Sequence, residues 1–105
     1  MKVSLLVSAL MVICLAPAAQ ASEALASKAG CMACHAKDKK IVGPAFRDVS
    51  AKYKDQKDAE TKLMDKVRKG GAGNWGPIPM SANGPEKISD ADLKTVVQWI
   101  LKGAA

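Results

Sequence analysis

The sequence predicts an all-α fold in which a handful of short helices wrap around one cofactor. Three observations point there. Apolar residues recur at helical spacing in separate stretches, and no alternation marks a strand. Cys31-Met32-Ala33-Cys34-His35 is a C-x-x-C-H run, the attachment signature of c-type haem. The chain is also poor in core: its aromatic residues are Phe46, Tyr53, Trp75 and Trp99, and chains of this size bury only about 60% of the surface their unfolded form exposes. A buried haem would make up that shortage, so the haem-free chain is expected to fold poorly.

Residues 1 to 21 read as a targeting segment. Lys2 supplies a short positive start, Val3 to Ala16 is mostly apolar, and Ala19-Gln20-Ala21 is an A-x-A cleavage site. Cleavage is expected after Ala21, leaving one domain over residues 22–105. The apolar run is short for a bilayer span of about 20 residues and Pro17 closes it, so a retained anchor is the weaker alternative. Cys14 lies inside the leader without the small residues of a lipoprotein site before it, which leaves Cys31 and Cys34 as the thiols of the exported chain.

Glu23 to Gly30 is rich in alanine, leucine and lysine, with Ser22 as expected N-cap and Glu23 in the first turn, where the helix dipole favours it. This helix should run into Cys31–His35. If that segment is helical, positions 31, 34 and 35 stand at i, i+3 and i+4, so two sulfurs and an imidazole leave one face. Two thiols can then add to the vinyl groups of a porphyrin while the imidazole reaches its iron. His35 is the one histidine of the chain. A dithiol redox centre, half a zinc site or a disulfide would also use C-x-x-C, but no second Cys/His pair and no βαβ pattern accompanies it.

Gly43-Pro44 breaks regular structure and leaves a carbonyl free. A haem-ligating histidine normally gives its second ring N–H to a carbonyl or carboxylate; the Pro44 carbonyl is the expected acceptor for Nδ1 of His35, a simple turn being the other reading. Phe46, Val49 and Tyr53 then form a helical stripe, repeated in Asp58 to Lys69 by Leu63, Met64 and Val67, with Gly70-Gly71 as the stop. Gly70 to Pro85 is so dense in glycine and proline that a loop without secondary structure is expected, and a long loop in a small domain is usually functional. Met80 lies within it, stiffened by Pro77 and Pro79, and is assigned as the second axial ligand, whereas Met32 and Met64 read as core filler. Ser89-Asp90-Ala91-Asp92 opens the last helix as a capping box, and Leu93, Val96, Val97, Ile100 and Leu101 form its apolar face before Lys102-Gly103 ends it. It should pack across the first helix, with Trp99 as core or rim.

The formal charge is +6, lowered by one when Lys2 leaves with the leader. Lysines gather at positions 28, 37, 39 and 40 and again at 52, 54, 57, 62 and 66. Most belong to a solvated face, yet together they would steer an acidic partner and make association salt-dependent. No basic block with interleaved aromatics points to nucleic acid.

The leader, Cys31–His35, Val42-Gly43-Pro44-Ala45 and Trp75-Gly76-Pro77-Ile78-Pro79-Met80 together resemble the small bacterial class I cytochromes c, in particular the cytochrome c-five-fifty-one type. The likeness covers nearly all of residues 22–105, and the Trp-Gly-Pro-Ile-Pro-Met stretch is its most specific part. The resemblance implies four or five helices around one haem, thioethers at Cys31 and Cys34, axial ligands His35 and Met80, and the Pro44 carbonyl on His35. It further implies that Asn83 bonds the Met80 sulfur and that Trp75 and Lys66 bond a propionate, although family members often carry arginine at the Lys66 place and the Ser81-Ala82-Asn83-Gly84 run departs from a more proline-rich version.

Iron held by His on one face and Met on the other has no free site for a substrate, so the expected function is that of a soluble, monomeric electron shuttle of the periplasm rather than an enzyme. The resemblance suggests a membrane cytochrome complex as donor and nitrite reductase or a terminal oxidase as acceptor. A haem-binding gas sensor or a peroxidase-like enzyme with a displaceable methionine is the alternative.

Overall fold

The computed structural model describes residues 18–105. The expectations placed on Lys2, the apolar run and Cys14 lie outside the described residues. Four helices make the frame: α1 (Ala18–Lys28), α2 (Phe46–Tyr53), α3 (Ala59–Lys69) and α4 (Asp90–Leu101), with a 3-10 turn at Cys31–Ala33. No helix among the described residues is long and apolar enough to cross a membrane.

The last helix is the hub. Ser89 caps it by accepting from the Asp92 amide at 3.2 Å, with Asp90 and Asp92 in the first turn where the dipole favours them. Leu93, Val96, Val97, Trp99 and Ile100 of α4 are buried, and α4 packs on α1, α2 and α3 alike. Ala26 of α1 is fully buried and belongs to the same core. Phe46, Val49 and Tyr53 of α2 are buried as their spacing predicted, and Phe46 meets Trp99 edge to face at 5.7 Å between centroids. Ser50 Oγ donates to the Leu101 carbonyl at 3.0 Å, fastening α2 to the end of α4. Leu63, Met64 and Val67 of α3 are half-buried against this core.

Two expectations differ from the structure. Ser22 is not the N-cap of α1 in the full-length chain: it lies inside the helix, whose described residues run from Ala18, and the buried Ser22 hydroxyl donates back to the Ala18 carbonyl at 3.0 Å, a bond serine makes readily inside a helix. The glycine- and proline-rich stretch is not structureless either. Its Gly71–Gly73 (β1) and Gly76–Met80 (β2) pair antiparallel, Gly71 opposite Met80 and Gly73 opposite Gly76. A two-stranded ribbon has only edge strands, where proline is tolerated. Pro77 and Pro79 are alternate residues, so both missing donors fall on the same side of β2.

Candidate functional site

After α1 ends at Lys28, Gly30 takes a left-handed φ of 87° and turns the chain into the Cys31–Ala33 turn. The Cys34 and His35 amides both donate to the Cys31 carbonyl, at 3.2 and 3.0 Å. That single turn brings Cys31, Cys34 and His35 to the wall of one cavity. Neither cysteine is paired in a disulfide. Burial pushes the Cys31 thiol above its ordinary value, the neighbouring Cys34 adds to this, and a backbone hydrogen bond opposes it.

The imidazole of His35 is fixed from several directions. Its Nδ1 lies 2.7 Å from the Pro44 carbonyl; a carbonyl only accepts, so Nδ1 carries the proton and Nε2 keeps its lone pair in the neutral ring. The ring stacks on Phe46 at 5.0 Å with 19° between planes. Gly43 comes so close that a Cβ there would sit 2.5 Å from His35 Cε1. The Gly43 amide donates to the Cys34 carbonyl at 2.7 Å, closing the loop that holds the ring.

Met80, at the end of β2, lines the same cavity although it is far from His35 in sequence. Gly70 ends α3 with φ 68°, and a Cβ on it would stand 2.3 Å from the Met80 carbonyl oxygen. Glycine here lets α3 and β2 meet. The Asn83 amide donates to the Val67 carbonyl at 2.9 Å, and its side-chain nitrogen goes to the carbonyls of Ser81 (2.9 Å) and Val67 (3.5 Å). Lys66 Nζ reaches the Gly70 carbonyl at 3.5 Å. Trp75 is 40% exposed and lies under the Lys52 ammonium at 4.7 Å from its ring centroid. Pro44, Lys66, Trp75 and Asn83 all border the cavity.

The cavity has a volume of about 360 Å³, and Phe46, Val49, Leu63, Val67, Leu93 and Val97 are among its walls. These walls are therefore shaped for an apolar occupant. The donor set fits haem: two thiols for vinyl groups, an imidazole whose Nδ1 is held by the Pro44 carbonyl and whose Nε2 is left over, and a thioether contributed by a different element. Among the described residues no group of three His, Cys, Asp or Glu side chains is placed to hold a metal ion, which leaves a zinc site without its donors.

Two cations that spacing did not single out take part. Lys52 bridges from α2 to the Asn74 carbonyl at 3.3 Å, and Arg68, in the last turn of α3, reaches across to the chain that follows Met80. Their partners are distant in sequence, so no local pattern announces them.

Comparison with known proteins shows the family and the fold. The family model described as Cytochrome c matches residues 19–104. Cytochrome c-551 of Allochromatium vinosum is 48% identical over 82% of this chain and 89% of its own length, and cytochrome c-552 of Nitrosomonas europaea is 49% identical over 79% of each. The crystal structure of wild-type cytochrome c552 from Nitrosomonas europaea superposes with a TM-score of 0.71 at 48% identity, covering 76% of this chain and 96% of that one.

Proposed function

This chain belongs to the cytochrome c family, and on that premise we propose that His35 and Met80 hold the haem iron from its two faces, with Cys31 and Cys34 as the thioether anchors. The protein binds one covalent haem c and is an electron carrier, not an enzyme. The haem supplies an iron that alternates between the ferric and ferrous states. The chain's own residues do the rest. His35 offers Nε2 because Pro44 keeps the proton on Nδ1. Met80 presents a sulfur that favours the ferrous state and raises the potential. Trp75 and Lys66 receive a propionate, while Asn83, expected on the Met80 sulfur, instead gives its side-chain nitrogen to the Ser81 and Val67 carbonyls and so fastens the chain after Met80 to α3. The observation that carries this reading is that a histidine with an enforced tautomer and a methionine from a separate element open onto one apolar cavity.

Residues 1–21 act as a leader removed after Ala21, and residues 22–105 form a monomeric domain that works in the periplasm, without stable membrane insertion and without nucleic acid. Val42, Trp75 and Ile78 are exposed apolar residues at the cavity. With the net positive charge they suit brief docking to an acidic redox protein over less than about 1,200 Å². A membrane cytochrome complex serves as donor and nitrite reductase or a terminal oxidase as acceptor.

An optical spectrum tests the ligands. The oxidised protein should show the weak far-red band of a methionine–iron bond and lose it in Met80→Ala, and the reduced protein should refuse carbon monoxide at neutral pH. A band that survives Met80→Ala, or ready uptake of carbon monoxide, would overturn the assignment.

A further inference from the structure

Between Met80 and Asp90 the chain has neither helix nor strand. It is nonetheless tied down, and chiefly by one turn of α3. Asn83, three residues past Met80, gives its amide to the Val67 carbonyl at 2.9 Å and takes a bond on its own carbonyl from Arg68 Nη1 at 3.2 Å. The same Nη1 donates to the carbonyl of the buried Ile88 at 2.9 Å, and Nη2 donates to the Asp90 carboxylate. One side chain thus grips the segment near its start and at its end.

We propose that Arg68 is a positioning residue whose guanidinium closes the 83–88 loop and thereby keeps Met80 in place over the haem. This rests on the reading that Met80 is an axial ligand. The planar fork of arginine matters because it serves three acceptors at once; a lysine is a single point donor on a flexible stem. Of the three bonds, those to the carbonyls carry the effect. Asp90 is 86% exposed, and water screens an ion pair there. Removing the guanidinium leaves two backbone carbonyls without their charged donor and frees the loop to swing, so the population with Met80 off the iron rises while the His35 side is untouched.

The test is imidazole binding to the oxidised, haem-loaded protein, read as loss of the far-red methionine band. Apparent affinity follows the fraction of molecules with the methionine displaced, so Arg68→Met should bind imidazole roughly tenfold more tightly than the parent. Arg68→Lys should fall between the two, and Asp90→Asn should stay within about twofold of the parent. Ala26→Gly, buried in α1 away from the cavity, lowers the melting temperature and should leave imidazole affinity unchanged. An Arg68→Met protein that binds imidazole like the parent overturns the proposal, as does an Ala26→Gly protein that gains as much affinity. Should Arg68→Met fail to fold, Arg68→Lys decides: a gain of roughly threefold supports the role and no gain refutes it. A parent without the methionine band would sink the ligand reading itself, a result distinct from a normal parent with a silent Arg68→Met.

Discussion

The two sides of the cavity are built by different strategies. Cys34, Gly43, Pro44 and Phe46 surround His35 within a dozen residues of chain, and each contact is either to backbone or to a stacked ring. Met80 is held by a short ribbon, by the close approach of Gly70, and by Asn83 and Arg68 bonds that join segments distant in sequence. Short-range contacts cost little loop-closure entropy and open rarely, whereas a loop held by a few long-range bonds opens with a smaller free energy than the core. The lesson is that, if both residues ligate the haem, the histidine side would be the firmer attachment and the methionine side the one to yield first.

Substitutions can break or sharpen that contrast. Gly43→Val should be the most damaging: a Cβ there meets the imidazole at 2.5 Å, and overpacking against a ring fixed on its other faces should destabilise by upwards of about 3 kcal/mol, seen as a lower melting temperature and a disturbed histidine–iron spectrum. Leu93→Ala removes a side chain that is 1% exposed in the helix supporting both sides, and should cost about 3 kcal/mol while leaving the far-red band in place. Gly70→Ala forces a Cβ onto the Met80 carbonyl at φ 68° and should cost about 2 kcal/mol. Unlike Leu93→Ala it should weaken the methionine band. Lys37→Ala breaks an exposed ion pair with Glu23 at 3.3 Å and should shift stability by less than about 0.5 kcal/mol, with neither ligand spectrum altered. If Gly70→Ala disturbed the histidine and methionine signals equally, the division between the two sides would be lost.

The same division explains what could be read from the sequence. The histidine side is local, so C-x-x-C-H spacing and one proline were enough to anticipate the bond from Nδ1 to the Pro44 carbonyl. The stripe of Phe46, Val49 and Tyr53 and the capped last helix were legible because helical periodicity needs no partner to be seen. On the methionine side, Met80 stood out by its proline setting, but the β1–β2 ribbon did not, because glycine and proline density signals irregular backbone and carries no pairing information. Arg68 was invisible for a different reason. Its acceptors are carbonyls at Asn83 and Ile88, and a carbonyl leaves no trace in residue type. Ser22 resembled a cap, but in the full-length chain residues 18–21 precede it within α1 and its hydroxyl bonds back to Ala18.

The most direct measurement of the central claim, a haem gripped between His35 and Met80, is the proton NMR spectrum of the reduced protein. A methionine methyl lying against the face of a porphyrin is shielded by the ring current. One three-proton resonance should therefore appear far upfield of the ordinary methyl region and vanish in Met80→Ala. A reduced spectrum whose methionine methyls all keep ordinary shifts, or an upfield resonance that persists in Met80→Ala, would contradict it.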